Sequence, residues 1–98
     1  MADSVSETLT DNGSTGLVKA GARGEVFIRG ADSFGGGTVT IEILDTDGTY
    51  RALIDSAGAA ISYTAAFSDV IDIPVDTTIR ATLSGATTPN LLLLLRSF

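Results

Sequence analysis

The sequence predicts an all-β fold, a small antiparallel β-sandwich, and three observations predict it. Apolar and polar residues alternate with period two in several separate segments, while helical period is nearly absent. Glycine, Asp-Gly and Ser-Gly turn signals recur about every ten residues from Thr15 onward, with β-branched residues between them. At 98 residues the chain suits one domain and leaves no room for a second core.

Taken in order, residues 1–14 are polar and acidic, with Asp3, Glu7, Asp11, Asn12 and Gly13 and few apolar anchors. They read as a flexible N-terminal arm ahead of a sandwich domain over residues 15–98. Such an arm can order against a neighbouring subunit, although fraying is the commoner outcome. In Glu25 to Arg29, Val26 and Ile28 oppose Glu25, Phe27 and Arg29. The clearest strand is Thr38 to Leu44, where Val39, Ile41 and Ile43 share one face and Thr38, Thr40 and Glu42 the other. Asp45-Thr46-Asp47-Gly48 then supplies the positive φ of a tight hairpin into Thr49–Asp55.

Ser56-Ala57-Gly58 turns the chain again into Ala60–Phe67, where Ile61, Tyr63, Ala65 and Phe67 alternate with Ser62, Thr64 and Ala66. The Ala-rich piece from Tyr63 to Phe67 equally allows a single helical turn. Asp69 to Val75 sets Ile71, Ile73 and Val75 against Val70 and Asp72. Thr78 to Ser84 points Ile79, Ala81 and Leu83 inward and Thr78, Arg80, Thr82 and Ser84 outward. Gly85 to Asn90 is the last loop and Leu91 to Phe98 the last strand. The total is about seven or eight short strands, arranged as a jelly-roll or an immunoglobulin-like sandwich.

Composition bounds the function. The chain has no cysteine and no histidine. That removes disulfides, thiolate metal sites, the usual general base at neutral pH and the Ser-His-Asp and Cys-His arrangements. Carboxylate-only hydrolysis remains open in principle. Most carboxylates, however, fall in turns or on exposed strand faces, where nothing raises a pKa. The expectation is a non-enzyme without a cofactor or metal. The net charge of −6, with Lys19, Arg23, Arg29, Arg51, Arg80 and Arg96 scattered along the chain, argues against nucleic acid. The longest aliphatic run, Leu91 to Leu95, is far short of the roughly 20 residues of a spanning helix, so no membrane partner is expected. The first residues carry neither a basic segment nor an apolar stretch, so a cytoplasmic origin is expected.

Three motifs invite functional readings. Asp45-Thr46-Asp47-Gly48 starts like a calcium loop, but the twelfth position, which needs a bidentate glutamate, is Ser56. A turn is the better account. Phe34-Gly35-Gly36-Gly37-Thr38 lacks the lysine and the following helix of a phosphate loop, and reads as an inter-strand loop whose exposure suits an interaction. The Leu91–Leu95 run is the most informative: alternate leucines face opposite sides of a strand, and a two-layer sandwich covers only one. Leu92 and Leu94 are therefore covered either by a loop or the N-terminal arm folded over the outer face, or by another subunit. Phe34, Gly35, Gly36, Leu92 and Leu94 are accordingly the candidate interface residues.

Gly36-Gly37-Thr38-Val39-Thr40-Ile41-Glu42, the Asp47-Gly48-Thr49 turn and Ile79-Arg80-Ala81-Thr82-Leu83-Ser84-Gly85-Ala86-Thr87 resemble blocks of small virion structural proteins of tailed bacteriophages. The resemblance covers roughly residues 24 to 96 of the chain. It implies a compact β-sandwich on the capsid exterior, a decoration or cement protein whose partners are the major capsid protein and its own copies in a homotrimer. A tail, head-fibre-base or adaptor component of the virion and a glycan-binding β-sandwich module are the alternatives. Tyr50 stands after the Asp-Gly hairpin where relatives carry tryptophan, and the apolar Leu run departs from the pattern.

Overall fold

The computed structural model describes residues 4–55, 57–74 and 76–97. Among these there is no helix. The strands are β1 (Ser4–Leu9), β2 (Gly13–Ser14), β3 (Val18–Lys19), β4 (Glu25–Ser33), β5 (Thr38–Leu44), β6 (Tyr50–Ala52), β7 (Ser62–Tyr63), β8 (Phe67–Asp72), β9 (Thr78–Ser84) and β10 (Asn90–Ser97). One antiparallel sheet runs β1-β10-β4-β8. The other runs β2-β9-β5-β6, with β3 also paired to β9 and β7 also paired to β5.

Two interruptions explain why ten strands appear where the sequence predicts seven or eight. β2 and β3 are pieces of one strand along β9, broken where the Thr15 hydroxyl replaces a carbonyl. The Ala81 N–H donates to Thr15 Oγ1 (3.1 Å), while the Thr15 N–H donates to the Ala81 carbonyl (2.9 Å). β6 and β7 likewise lie along β5, separated by a side hairpin over residues 53–61. Leu53 and Ile61 bond to each other and to Ile41 at its base (2.8–3.0 Å), and Ile54 bridges Ala60. Counting each broken pair once leaves eight strands. Their sheets then run first-eighth-third-sixth and second-seventh-fourth-fifth, which is the jelly-roll order and not the immunoglobulin one.

Period-two burial positions the core between the sheets. β5 and β9 occupy the predicted bounds, with Val39, Ile41, Ile79, Ala81 and Leu83 at 0–1% exposure. From the opposite sheet come Val26, Ile28, Leu91, Leu93 and Leu95, again essentially inaccessible. Gly30 completes this face, because a Cβ there would run into the Phe67 ring. Ile71 and Ile73 are buried as expected, although β8 ends at Asp72. Val75, Ser56 and Phe98, which the predicted strands and turn included, lie outside the described residues.

Two expectations are corrected. The Ala60–Phe67 segment is neither a full strand nor a helical turn: Ser62–Tyr63 forms the short strand paired with β5, Ile61 before it bonds Ile41, and residues 64–66 cross to the other sheet. Tyr63 and Phe67 meet across that crossing as a parallel ring stack, centroids 3.8 Å apart. The flexible arm is the second. Ser4–Leu9 pairs in register with Arg96–Leu91 as the edge of the first sheet, and the Asn12 side chain bonds both the N–H and the carbonyl of Ala86 (2.8 and 3.1 Å). Polar composition misled because an edge strand needs few anchors. Val5 and Leu9 pack against the core, and β10 offers a free row of backbone groups. Residues 1–3 of the predicted arm lie outside the described residues.

Candidate functional site

Three surfaces of the sandwich differ in chemistry. The first is the outer face of β1-β10-β4-β8. Register places Leu92 beside Ala31 and Thr8, Leu94 beside Arg29 and Ser6, and Arg96 beside Phe27 and Ser4, with Val70 next to Phe27. Leu92, Leu94 and Phe27 are half-buried, and Val70 is 48% exposed. None of the four belongs to the core between the sheets. No described strand lies over this face, because β1 extends the sheet sideways and does not fold across it. Arg29 and Arg96 are exposed and have no ion pair among the described residues.

The second is the outer face of the other sheet, where polar side chains satisfy one another. Arg80 Nε donates to Glu42 Oε1 (2.8 Å), the Thr82 hydroxyl donates to the same oxygen (2.6 Å), and the Ser14 and Thr82 hydroxyls are 2.8 Å apart. The Arg80 guanidinium lies 3.6 Å above the centroid of Tyr50, a cation–π contact that covers one side of the ring. Burial alone would raise the Glu42 pKa. The hydrogen bonds from Thr82 and Arg80 and the Arg80 charge outweigh it and hold the carboxyl below its ordinary value. At one corner Arg51 bridges Asp45 and Asp47 of the hairpin (3.2 and 3.1 Å), and its hydrogen bond keeps the Asp47 pKa low.

The third is the open side of the sandwich, between the β8 edge and the 53–61 hairpin. A crevice of about 340 Å³ there is lined by Asp55, Ile61, Tyr63, Asp69 and Ile71. A neighbouring hollow of about 330 Å³ adds Leu53, Ile54 and Asp72. Tyr63 donates to Asp69 Oδ2 (2.9 Å), and burial, with that bond and the Asp69 charge, pushes its pKa up to about 12. Asp55 Oδ1 accepts from the Ala57 and Ala59 N–H groups, fixing the turn. Among the described residues no group of His, Cys, Asp or Glu is placed to hold a metal ion.

The five residues singled out from the sequence do not form one patch. Phe34 is 6% exposed and sets its ring edge-on to Phe67, so its loop cannot offer that ring to a partner. Gly35 is wedged against the next loop: the Thr87 N–H donates to its carbonyl (2.9 Å), and a Cβ would sit 2.5 Å from the Thr87 oxygen. Gly36 alone is exposed at that tip. Leu92 and Leu94 lie on the uncovered sheet face. Sequence reasoning missed Phe27, Val70, Arg29 and Arg96 beside them. Their signal was the shared parity with Leu92 and Leu94 once the β10–β4–β8 register is fixed. Compared with known protein families, curated proteins and solved structures, the chain matches none.

Proposed function

We propose that this chain is a non-enzymatic structural protein of a tailed-phage virion. In this reading it is a decoration protein that binds the outer surface of the major capsid lattice and stabilises it, made in the host cytoplasm and acting as a homotrimer. The observation that carries the reading is the uncovered apolar face around Leu92, Leu94, Phe27 and Val70, because exposed apolar surface of this kind marks protein contacts. Two further points support it. The blocks that resemble phage structural proteins are neighbours in space, forming β5, the hairpin to β6 and β9 of one sheet. Jelly-rolls also recur among viral capsid domains. They recur among lectins too, but the Tyr50 ring, the natural sugar platform on the polar face, is capped by Arg80.

The test is the copy number of the protein in purified virions, by quantitative mass spectrometry against the major capsid protein. A ratio near one per capsid subunit, or one trimer per capsomer junction, supports lattice decoration. A count of about a dozen or fewer moves the protein to a tail, head-fibre-base or adaptor position. Absence from particles overturns the virion reading.

A further inference from the structure

Asn12 is followed by Gly13, which has no Cβ and so leaves its backbone nitrogen open to the asparagine side chain. Asparagine is a chemically labile residue, and this neighbour makes it more so. Once hydroxide has taken its proton, the Gly13 nitrogen can attack Asn12 Cγ. An N–Cγ bond forms, the Cγ–Nδ2 bond breaks, and Nδ2 leaves as ammonia. Water then opens the five-membered imide at either carbonyl, giving aspartate or isoaspartate. Asn12 is exposed, so water reaches it. The other side-chain amide of the sequence, Asn90, precedes Leu91, whose bulk hinders the same attack.

The fold engages the group that would react. Asn12 Oδ1 accepts from the Ala86 N–H (2.8 Å), and Asn12 Nδ2 donates to the Ala86 carbonyl (3.1 Å). On one side the Asn12 N–H donates to Asp11 Oδ1 (2.8 Å), and on the other Gly13 pairs with Leu83 in β2. Attack makes Cγ tetrahedral, which destroys the planar amide that both bonds to Ala86 require. The next residue along, Thr87, donates its N–H to the Gly35 carbonyl (2.9 Å). The turn before β2, the 34–37 loop and the 85–90 loop are thus tied in series through Ala86 and Thr87.

We propose that Asn12 is a self-modification site gated by its clip to Ala86. Deamidation proceeds when the turn parts from the 85–90 loop, and the product cannot restore the clip. Aspartate has no donor for the Ala86 carbonyl. Isoaspartate carries the main chain through Cγ and inserts a methylene between β1 and β2. A transient opening is thereby made permanent at the end of the sandwich where these loops meet. Local openings cost less than global unfolding, so the clip and not the total stability sets the rate. The chemistry belongs to the chain itself and stands whether or not the protein is part of a virion.

Ageing of the intact protein at mildly alkaline pH tests it, with peptide mapping by mass spectrometry to read the exchange of NH2 for OH at residue 12. The folded chain is expected to react about tenfold or more slowly than the same chain in denaturing urea. Below the unfolding transition its rate stays flat as urea rises. Ala86→Pro removes the N–H that Asn12 accepts and keeps an apolar side group. This variant, shown folded by circular dichroism, ages severalfold faster than the parent, while in denaturing urea the two match. The isolated deamidated chain and Asn12→Asp both unfold at lower urea than the parent. Equal rates in the folded and unfolded parent overturn the proposal. So does a folded Ala86→Pro that ages at the parental rate, since pairing of Gly13 would then be the guard. If Ala86→Pro does not fold, the urea series decides: a rate that tracks the unfolded fraction overturns the local gate. A deamidated chain with the parent's urea midpoint overturns the permanent opening.

Discussion

The two outer faces of this sandwich are built from the same alternation and end in opposite chemistry. Outside β9-β5-β6, every charged group near the middle has a partner: Arg80 holds Glu42 and covers Tyr50, and Thr82 links Glu42 to Ser14. Outside β1-β10-β4-β8, the middle is Leu92, Leu94 and Phe27, and the arginines beside them have no ion pair among the described residues. A face whose polar groups already bond one another gains little from a partner. One that leaves leucine and guanidinium side by side gains from burial and from charge pairing together. The contrast is what favours the β1-β10-β4-β8 face over the other as the proposed contact surface.

The contrast breaks most visibly at the leucines, because it requires neighbours in β10 to differ. Leu93 is 1% exposed between the sheets, so Leu93→Ala leaves a cavity and costs about 2–5 kcal/mol. Leu94→Ala, one residue on and on the uncovered side, costs about 1 kcal/mol or less, since no second layer packs on it. Urea denaturation of both variants measures the difference. Equal losses would mean that something covers the outer face.

The polar face supplies the next effect. Arg80→Ala removes a charged hydrogen bond and a cation–π contact and leaves Glu42, whose side chain is 20% exposed, without its cation. The expected cost is about 1–2 kcal/mol. Arg29→Ala, which loses no ion pair among the described residues, falls within about 0.5 kcal/mol by the same measurement. A larger loss at Arg29 than at Arg80 would reverse the assignment of the two faces.

Much of this was legible in the sequence, for a physical reason. In β5 and β9 alternation is strict and both neighbours are β-strands, so period two alone sets the bounds and the buried side. The Leu run was legible as a problem, since five leucines in a strand cannot share one face. What was not legible depends on pairing across long stretches of chain. Ser4–Leu9 looks like a tail until β10 is placed beside it, and its order comes from backbone bonds that leave no mark in side-chain composition. Phe34 looks exposed within a glycine loop, but Gly30 opens the space in which Phe67 lies and Phe34 packs edge-on against that ring. Arg29 and Arg96 are 67 positions apart, and only register makes them neighbours.

The smallest effect is a pH dependence peculiar to the polar face. The Glu42 carboxyl is held below its ordinary value of 4.5 in the folded protein, so the folded state favours the carboxylate more than the unfolded chain does. Its contribution is fully present above pH 4.5 and is lost as pH falls through the lower folded value. Glu42→Gln keeps an acceptor for Arg80 and Thr82 but not the charge. At neutral pH this variant is expected to be less stable than the parent by about 0.5–1 kcal/mol, and the gap closes as pH drops below 4.5. Paired urea titrations from neutral to acidic pH read that closure directly. A gap that stays constant would mean that the carboxylate charge adds nothing, and that Arg80 is held to this face by Tyr50 and the sheet alone.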